Sequence, residues 1–202
     1  MHKLLSSLIV TLLGLVFFRL FVADVYIIPS ASMMPTLQPG DVAWVNKLAF
    51  CGSTQPQKDD ILAFYMPAEG RKTTDQKTKF VKRCAAVPHQ KMVSINGKWA
   101  VTTDDSDNEI PAKGDTTILT SQNINFYKPL IEQYEHQKAG LVGSTIYVNG
   151  KPDSLFVFGQ NYYFVLGDNL AESHDSRYWG LLPEDHILGK VSGVLGSVGS
   201  AK

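Results

Sequence analysis

The sequence predicts a mainly β protein, a barrel or sandwich, with one N-terminal transmembrane helix and a small β-rich insertion. Three observations lead there. Short β-prone runs recur along the chain, each closed by Gly or Pro. Asn-Gly stands twice between β-prone residues, at Asn96-Gly97 and Asn149-Gly150, which favours a type I′ hairpin turn. Outside the N-terminus, only Lys128 to Lys138 has a helical pattern.

The first element is the apolar run from Leu4 to Ala23, interrupted by Ser6, Ser7, Thr11 and Arg19. About 20 helical residues span roughly 30 Å, the thickness of a bilayer core. His2, Lys3 and the terminal amine precede the run, which orients the short tail to the cytoplasm and the body outside. Arg19 lies near the far end, where its long stem carries the charge to the interface. A cleavable leader is the competing reading. Phe21-Val22-Ala23 is a poor cleavage site because its first position is bulky, so a retained anchor is favoured.

Strands are expected at Val25–Ile28, Val42–Val45, Ile61–Tyr65 and Phe80–Val87, with loops at Cys51–Asp60 and Arg71–Lys79. The Asn-Gly hairpins follow, flanking an acidic, turn-rich stretch from Asp104 to Gly114. Tyr162–Leu166 is another strand, and Val191–Val198 a Gly/Ser-diluted terminal one. With 19 basic and 19 acidic residues among 202, the net charge is zero, which leaves no electrostatic footprint for nucleic acid. Cys51 and Cys84 match no zinc spacing and are read as free thiols, with a disulfide between them the alternative.

Three segments carry chemistry. Directly after the apolar run comes Pro29-Ser30-Ala31-Ser32-Met33-Met34-Pro35-Thr36-Leu37. The second is Phe80-Val81-Lys82-Arg83. The third is Gly167-Asp168-Asn169, followed by Ser173-His174-Asp175-Ser176-Arg177. A serine hydroxyl needs a base before it attacks. Lysine serves only when neutral, and at its ordinary pKa about one in a few thousand is neutral at pH 7. Burial among apolar groups lowers that pKa by penalising the charged form. Lys82, in a β-prone run with Phe80 two residues away, suits this task. Taken alone it also reads as an edge lysine that blocks strand pairing.

Together, in this order behind one apolar run, the three segments resemble the type I signal peptidases, membrane-bound Ser-Lys endopeptidases that remove signal peptides from exported proteins. The resemblance implies that Ser32 attacks the scissile carbonyl and that Lys82 is the general base. It implies further that Ser173 orients the lysine, and that the Ser32 N–H and the Ser30 hydroxyl form the oxyanion hole. Arg83 with Asp168, and Asp175 with Arg177, become supporting ion pairs. Cleavage after small residues, of Ala-X-Ala type, would use pockets lined by Ile28, Met33, Leu37, Ala43, Phe80 and Val81, each equally explained as core. The implied layout is a tail and anchor at 1–24, a catalytic β domain at 25–98 and 155–202, and a non-catalytic insertion at 99–154. No metal or organic cofactor is implied. The implied partners are preprotein signal peptides, the lipid bilayer and the export machinery. The implied location is the cytoplasmic membrane, single-pass, with the catalytic domain outside.

The chain departs from the family pattern at Leu170-Ala171, usually Arg-Asp, at Pro88-His89-Gln90, usually Pro-Gly-Asp, and at Asp59-Asp60, usually Gly-Asp. Two other readings follow from these departures and from the shared dyad: a non-catalytic tethered paralogue, and another Ser-Lys processing peptidase. A Ser-His-Asp triad at Ser173, His174 and Asp175 is disfavoured, because neighbouring side chains on an extended chain point apart. His89, His136 and His186 are expected at the surface, and Trp44, Tyr178 and Trp179 in the core. Asp105, Asp107 and Glu109 alternate like calcium ligands, but Ile110 stands where a calcium loop needs glycine, so a solvated acidic loop is expected.

Overall fold

A computed structural model of the chain describes residues 2–67 and 78–198. Most of the loop expected at Arg71–Lys79 lies outside the described residues. The chain begins with helix α1 (His2–Phe17), which passes into a π-helical turn, Phe18–Val22. The helical expectation of Leu4 to Ala23 needs correction here. The α-helix has 16 residues, about 24 Å of rise, and Ala23 already belongs to a strand. Strand pairing ends the helix: Ala23 pairs with Asn46, and Lys47 takes the freed carbonyls, its N–H donating to Val22 O and its Nζ to Arg19 O. No helix among the described residues is long and apolar enough by itself to cross a membrane.

Strands β1 (Ala23–Ile27), β2 (Asp41–Asn46), β3 (Ile61–Tyr65) and β4 (Lys79–Ala86) follow within one or two residues of the predicted runs. Then come the hairpin β5 (Lys91–Ile95) and β6 (Lys98–Thr102), strand β7 (Thr116–Ile118), helix α2 (Ile124–Gln133), and the meander β8 (Ala139–Val142), β9 (Thr145–Val148) and β10 (Lys151–Pro152). Strands β11 (Leu155–Val157) and β12 (Tyr162–Leu166), the single-turn helix α3 (Ser176–Trp179), β13 (Leu182–Pro183) and β14 (Ile187–Ser197) complete the chain. At both Asn-Gly turns the two residues have positive φ, 51° and 75° at Asn96-Gly97 and 52° and 77° at Asn149-Gly150. That is the type I′ requirement.

Helix α2 starts four residues before the predicted stretch. The signal passed over was Ile124, Tyr127 and Ile131, all buried at helical spacing. The helix ends at Gln133, with Tyr134 as its C-cap, before His136 turns left-handed at φ 54°.

The seven-stranded sheet has the order β1-β2-β14-β3-β4-β12-β13. It is open, which corrects the barrel: its end strands β1 and β13 do not pair. Among the described residues, strand β12 pairs with β4 only from Arg83 to Ala86, leaving one edge of Lys79 to Lys82 unpaired. Strand β1 likewise pairs, among the described residues, with β2 alone. Among the described residues, three apolar clusters form the core. One gathers Ile28, Met33, Leu37, Ala43, Val45, Ala63 and Val191 beneath the Ser32 turn. A second joins Leu62, Phe64, Cys84, Tyr163, Val165 and Leu182. The third packs α2 and the small sheets onto Ala86, Tyr162 and Phe164. Cys51 is exposed, Cys84 is buried, and both are free.

Candidate active site

The site is built by three chain segments that converge on Ser32. The first follows β1, where Pro29 ends the strand and residues Ala31–Met33 make one turn of 3-10 helix. Burial of Met33 and Leu37 in the cluster beneath fixes this turn, and Ser32 itself is only 7% exposed. Its backbone N–H lies in the first turn of the helix, where amides lack an intrahelical acceptor.

The second segment is β4. Its side chains alternate, and Lys82, Cys84 and Ala86 are the buried set. Lys82 is 2% exposed. Its Nζ donates to Ser32 Oγ at 2.6 Å and to Val81 O at 3.1 Å, and sits 5.5 Å from the centroid of the Phe80 ring. Burial lowers the Lys82 pKa to about 8, against the opposing pull of the Asp175 and Asp168 carboxylates. At pH 7 about a tenth of such an amine is neutral, against about one in a few thousand in water. The Ser30 hydroxyl donates to Ser32 Oγ at 3.3 Å, so the two serines and the lysine form one contiguous group.

The third segment is the turn from Gly167 to Arg177, and it holds the other two in register. Asn169 clamps the serine turn, its N–H donating to Ser32 O at 3.1 Å and its Nδ2 to Ala31 O at 3.2 Å. Gly167 permits this approach: a Cβ there would lie 2.4 Å from Ser32 O and 2.2 Å from Ser173 Oγ. Arg83 binds Asp168 with a fork, Nε at 2.8 Å and Nη2 at 2.7 Å, and Thr36 bonds to both. The Arg83 bonds hold the Asp168 carboxyl below its ordinary range. Asp175 is fully buried. Burial alone would raise its pKa, but Arg177, the Gly167 N–H and the Ser173 side chain outweigh that and hold it low. The Arg177 Nε lies 2.8 Å from Asp175 Oδ1, and its Nη2 also donates to Leu170 O, so the Leu170-Ala171 departure keeps a backbone tie to this turn.

The expected residues thus separate into groups. Ser32, Lys82 and Ser30 are brought together, and both supporting ion pairs form. No hydrogen bond joins Ser173 to Lys82 among the described residues. Ser173 Oγ is buried beside Gly167 and Asp175 without a partner at normal hydrogen-bond geometry. Ile28, Met33, Phe80 and Val81 line a cleft of about 620 Å³ that opens on Ser32 and Lys82. Leu37 and Ala43 are buried in the cluster behind that wall and do not line it. The Asp175 carboxylate faces Arg177 and Gly167, and His174 stacks on Tyr178, so no Ser-His-Asp triad exists here. His186 corrects its surface expectation: it is 9% exposed, packed edge-on against Tyr134. Tyr178 is exposed, not core, while Trp44 and Trp179 are half-buried.

Sequence reasoning missed Gly167, Asn169 and Thr36 as site residues. Their motif was visible, but a glycine's reason for being small is a neighbour far away in the chain.

A family profile described as "Signal peptidase, peptidase S26" matches residues 1–195. The chain belongs to the S26 signal peptidase family. It is therefore a serine endopeptidase, a hydrolase of peptide bonds. Among curated relatives in this family, Signal peptidase I of Aquifex aeolicus is 28% identical, the alignment covering 94% of this chain and 82% of that protein. Probable signal peptidase I-1 of Synechocystis is 32% identical over 90% of this chain and 76% of its own length. A crystal structure of a signal peptidase I from Enterococcus faecalis matches at a TM-score of 0.31 and 17% identity, covering 70% of this chain and all of that one. That overlap is too low to bear on the fold.

Proposed function

We propose that this S26 peptidase removes N-terminal signal peptides from exported preproteins, using Ser32 as nucleophile and neutral Lys82 as general base. The observation that carries the reading is the 2.6 Å contact between Lys82 Nζ and Ser32 Oγ, made by a lysine 2% exposed whose pKa is pushed down to about 8. Ser32 Oγ attacks the scissile carbonyl and Lys82 takes its proton. The oxyanion forms beside the Ser32 N–H and the Ser30 hydroxyl. Lys82 then protonates the departing amine, and water attacks the acyl-serine by the same route. The family resemblance gives Ser173 the lysine-orienting role; its buried hydroxyl makes no hydrogen bond to Lys82 and lies beside Asp175, whose carboxylate acts on the lysine.

The unpaired edges of β1 and of Lys79 to Lys82 favour an extended substrate, which adds itself as a strand. Ile28, Met33, Phe80 and Val81 offer shallow apolar contacts suited to small side chains at alternate positions, as an Ala-X-Ala site has. The same reading makes α1 a membrane anchor. Leu5, Leu8, Ile9, Val10, Leu12, Leu13 and Val16 are all exposed on it, an all-round apolar surface that water disfavours. The π-helical turn to Val22 extends the apolar rod towards the span a bilayer needs. The catalytic body then lies on the extracytoplasmic face, where signal peptides emerge from the export machinery.

The test is cleavage of a preprotein by the detergent-solubilised full chain. Wild type should release the mature protein, and Ser32→Ala and Lys82→Ala should lose at least a thousandfold in rate. An inactive wild type, or either variant cutting as well as wild type, refutes the mechanism.

A further inference from the structure

The cleft has two kinds of wall. From Val25 to Ile28, β1 and the residue after it lead up to Ser30 and Ser32, and from Thr78 to Val81 the other wall leads up to Lys82. Both run towards the reacting pair in the direction of the chain. Among the described residues, the only cleft-lining positions from elsewhere are Glu172 and His174. They come from the turn that also carries Ser173. Along this stretch burial alternates: Ser173 and Asp175 are buried, Glu172 and His174 exposed. Since Ser173 turns inward to Gly167, its two neighbours turn out into the cleft.

The two are differently held. His174 is stacked on Tyr178 with ring centroids 5.4 Å apart, and Lys98 at the hairpin tip covers that tyrosine at 4.8 Å. Its ring is thereby positioned as a firm surface. Among the described residues the Glu172 carboxylate has no hydrogen bond or ion pair. Only the backbone N–H of Glu172 is used, donating to Asn169 O. The charges facing this part of the cleft are Lys82, buried against Ser32, and Lys79 on the β4 wall, whose Nζ lies 4.4 Å from the Tyr26 ring centroid. Glu172 is the one acidic group among the described lining residues.

We infer that Glu172 and His174 form the subsite for the first residues of the mature chain, those just after the scissile bond, and that Glu172 makes it favour basic over acidic side chains there. This rests on the peptidase reading above. If the apolar walls of β1 and β4 hold the segment before the scissile bond, the segment after it leaves past the turn that carries Glu172. A lysine in that segment gains a carboxylate that lacks a counter-ion, and a glutamate meets repulsion. Because Glu172 is exposed, the effect is modest: about a fivefold difference in kcat/KM between Lys and Glu, fading as salt screens the pair.

The experiment uses the solubilised full chain and three peptides with one Ala-X-Ala site, differing only in Lys, Ala or Glu after the cleavage point. Wild type should rank Lys above Ala above Glu. Glu172→Gln should flatten the ratio of Lys to Glu towards one, and Glu172→Lys should invert it. A wild type that cuts the Ala peptide but treats Lys and Glu alike overturns the subsite alone, as does an unchanged ranking in Glu172→Lys. A wild type that cuts none of the three overturns the peptidase mechanism and the subsite together.

Discussion

Gly167→Ala tests how tightly the late turn positions the nucleophile. The added methyl would lie 2.4 Å from the Ser32 carbonyl oxygen, where ordinary van der Waals contact begins at 3.4 Å. The Ser173 hydroxyl, at 2.2 Å, can rotate aside, but the Ser173 Cβ at 2.6 Å and the Ser32 backbone oxygen move only with the chain. The serine turn and the late turn must therefore separate by about 1 Å. That separation strains the Asn169 N–H bond to Ser32 O, now 3.1 Å, and draws Ser32 Oγ off its 2.6 Å contact with Lys82. A displacement of this size costs about a hundredfold in rate. Overpacking costs about 1–3 kcal/mol of stability in addition. The assay is kcat on a preprotein, beside urea unfolding of the same samples. A folded variant with wild-type kcat refutes the claim that Gly167 is small in order to let the two turns touch.

Further predictions concern the charges. The rate should rise with pH on one ionisation near pH 8, because only neutral Lys82 accepts the Ser32 proton, and at pH 7 it should stand at about a tenth of its plateau. Asp175→Asn should move that midpoint lower, since the Asp175 carboxylate raises the Lys82 pKa, and should cost about 3 kcal/mol of stability by stranding Arg177. Lys82→Met should abolish cleavage and yet stabilise the fold below pH 8 by up to about 3 kcal/mol, by denaturant titration. The sign follows from the lowered folded pKa, from 10.5 to about 8: folding sheds the lysine's proton across this window. Wild-type stability should therefore climb between pH 8 and about 10.5 relative to Lys82→Met, and the difference should close. Asn169→Ala removes the side-chain bond to Ala31 O and should lower kcat about tenfold, leaving the midpoint near pH 8 unchanged.

Much of this site was legible in the residues. Ser32 could be singled out because two prolines and apolar neighbours constrain it. Lys82 stood out because a β-prone run carries it among residues that bury. The Asn-Gly turns were readable since positive φ at two consecutive positions demands those residue types. Helix α2 was displaced in the reading because its starting Ile124, Tyr127 and Ile131 lie in a stretch of mixed polarity, and their spacing shows only once the helix exists. The end of α1 was misplaced because hydropathy alone does not register that Ala23 is claimed by Asn46.

Alone, the sequence determined which chemistry is present: a serine after an apolar run, a lysine in a strand, and a late acidic turn with arginines to match. Such features are local, set by side-chain type and by neighbours in the chain. What only the tertiary structure decided is where distant segments touch. It left the sheet open along β1 and β4, and set Leu37 and Ala43 behind the cleft wall. It kept Ser173 out of hydrogen-bonding contact with Lys82, and brought Gly167 against Ser32 across 135 positions of chain. Contact at that range depends on how every layer packs at once, and no residue type encodes it singly.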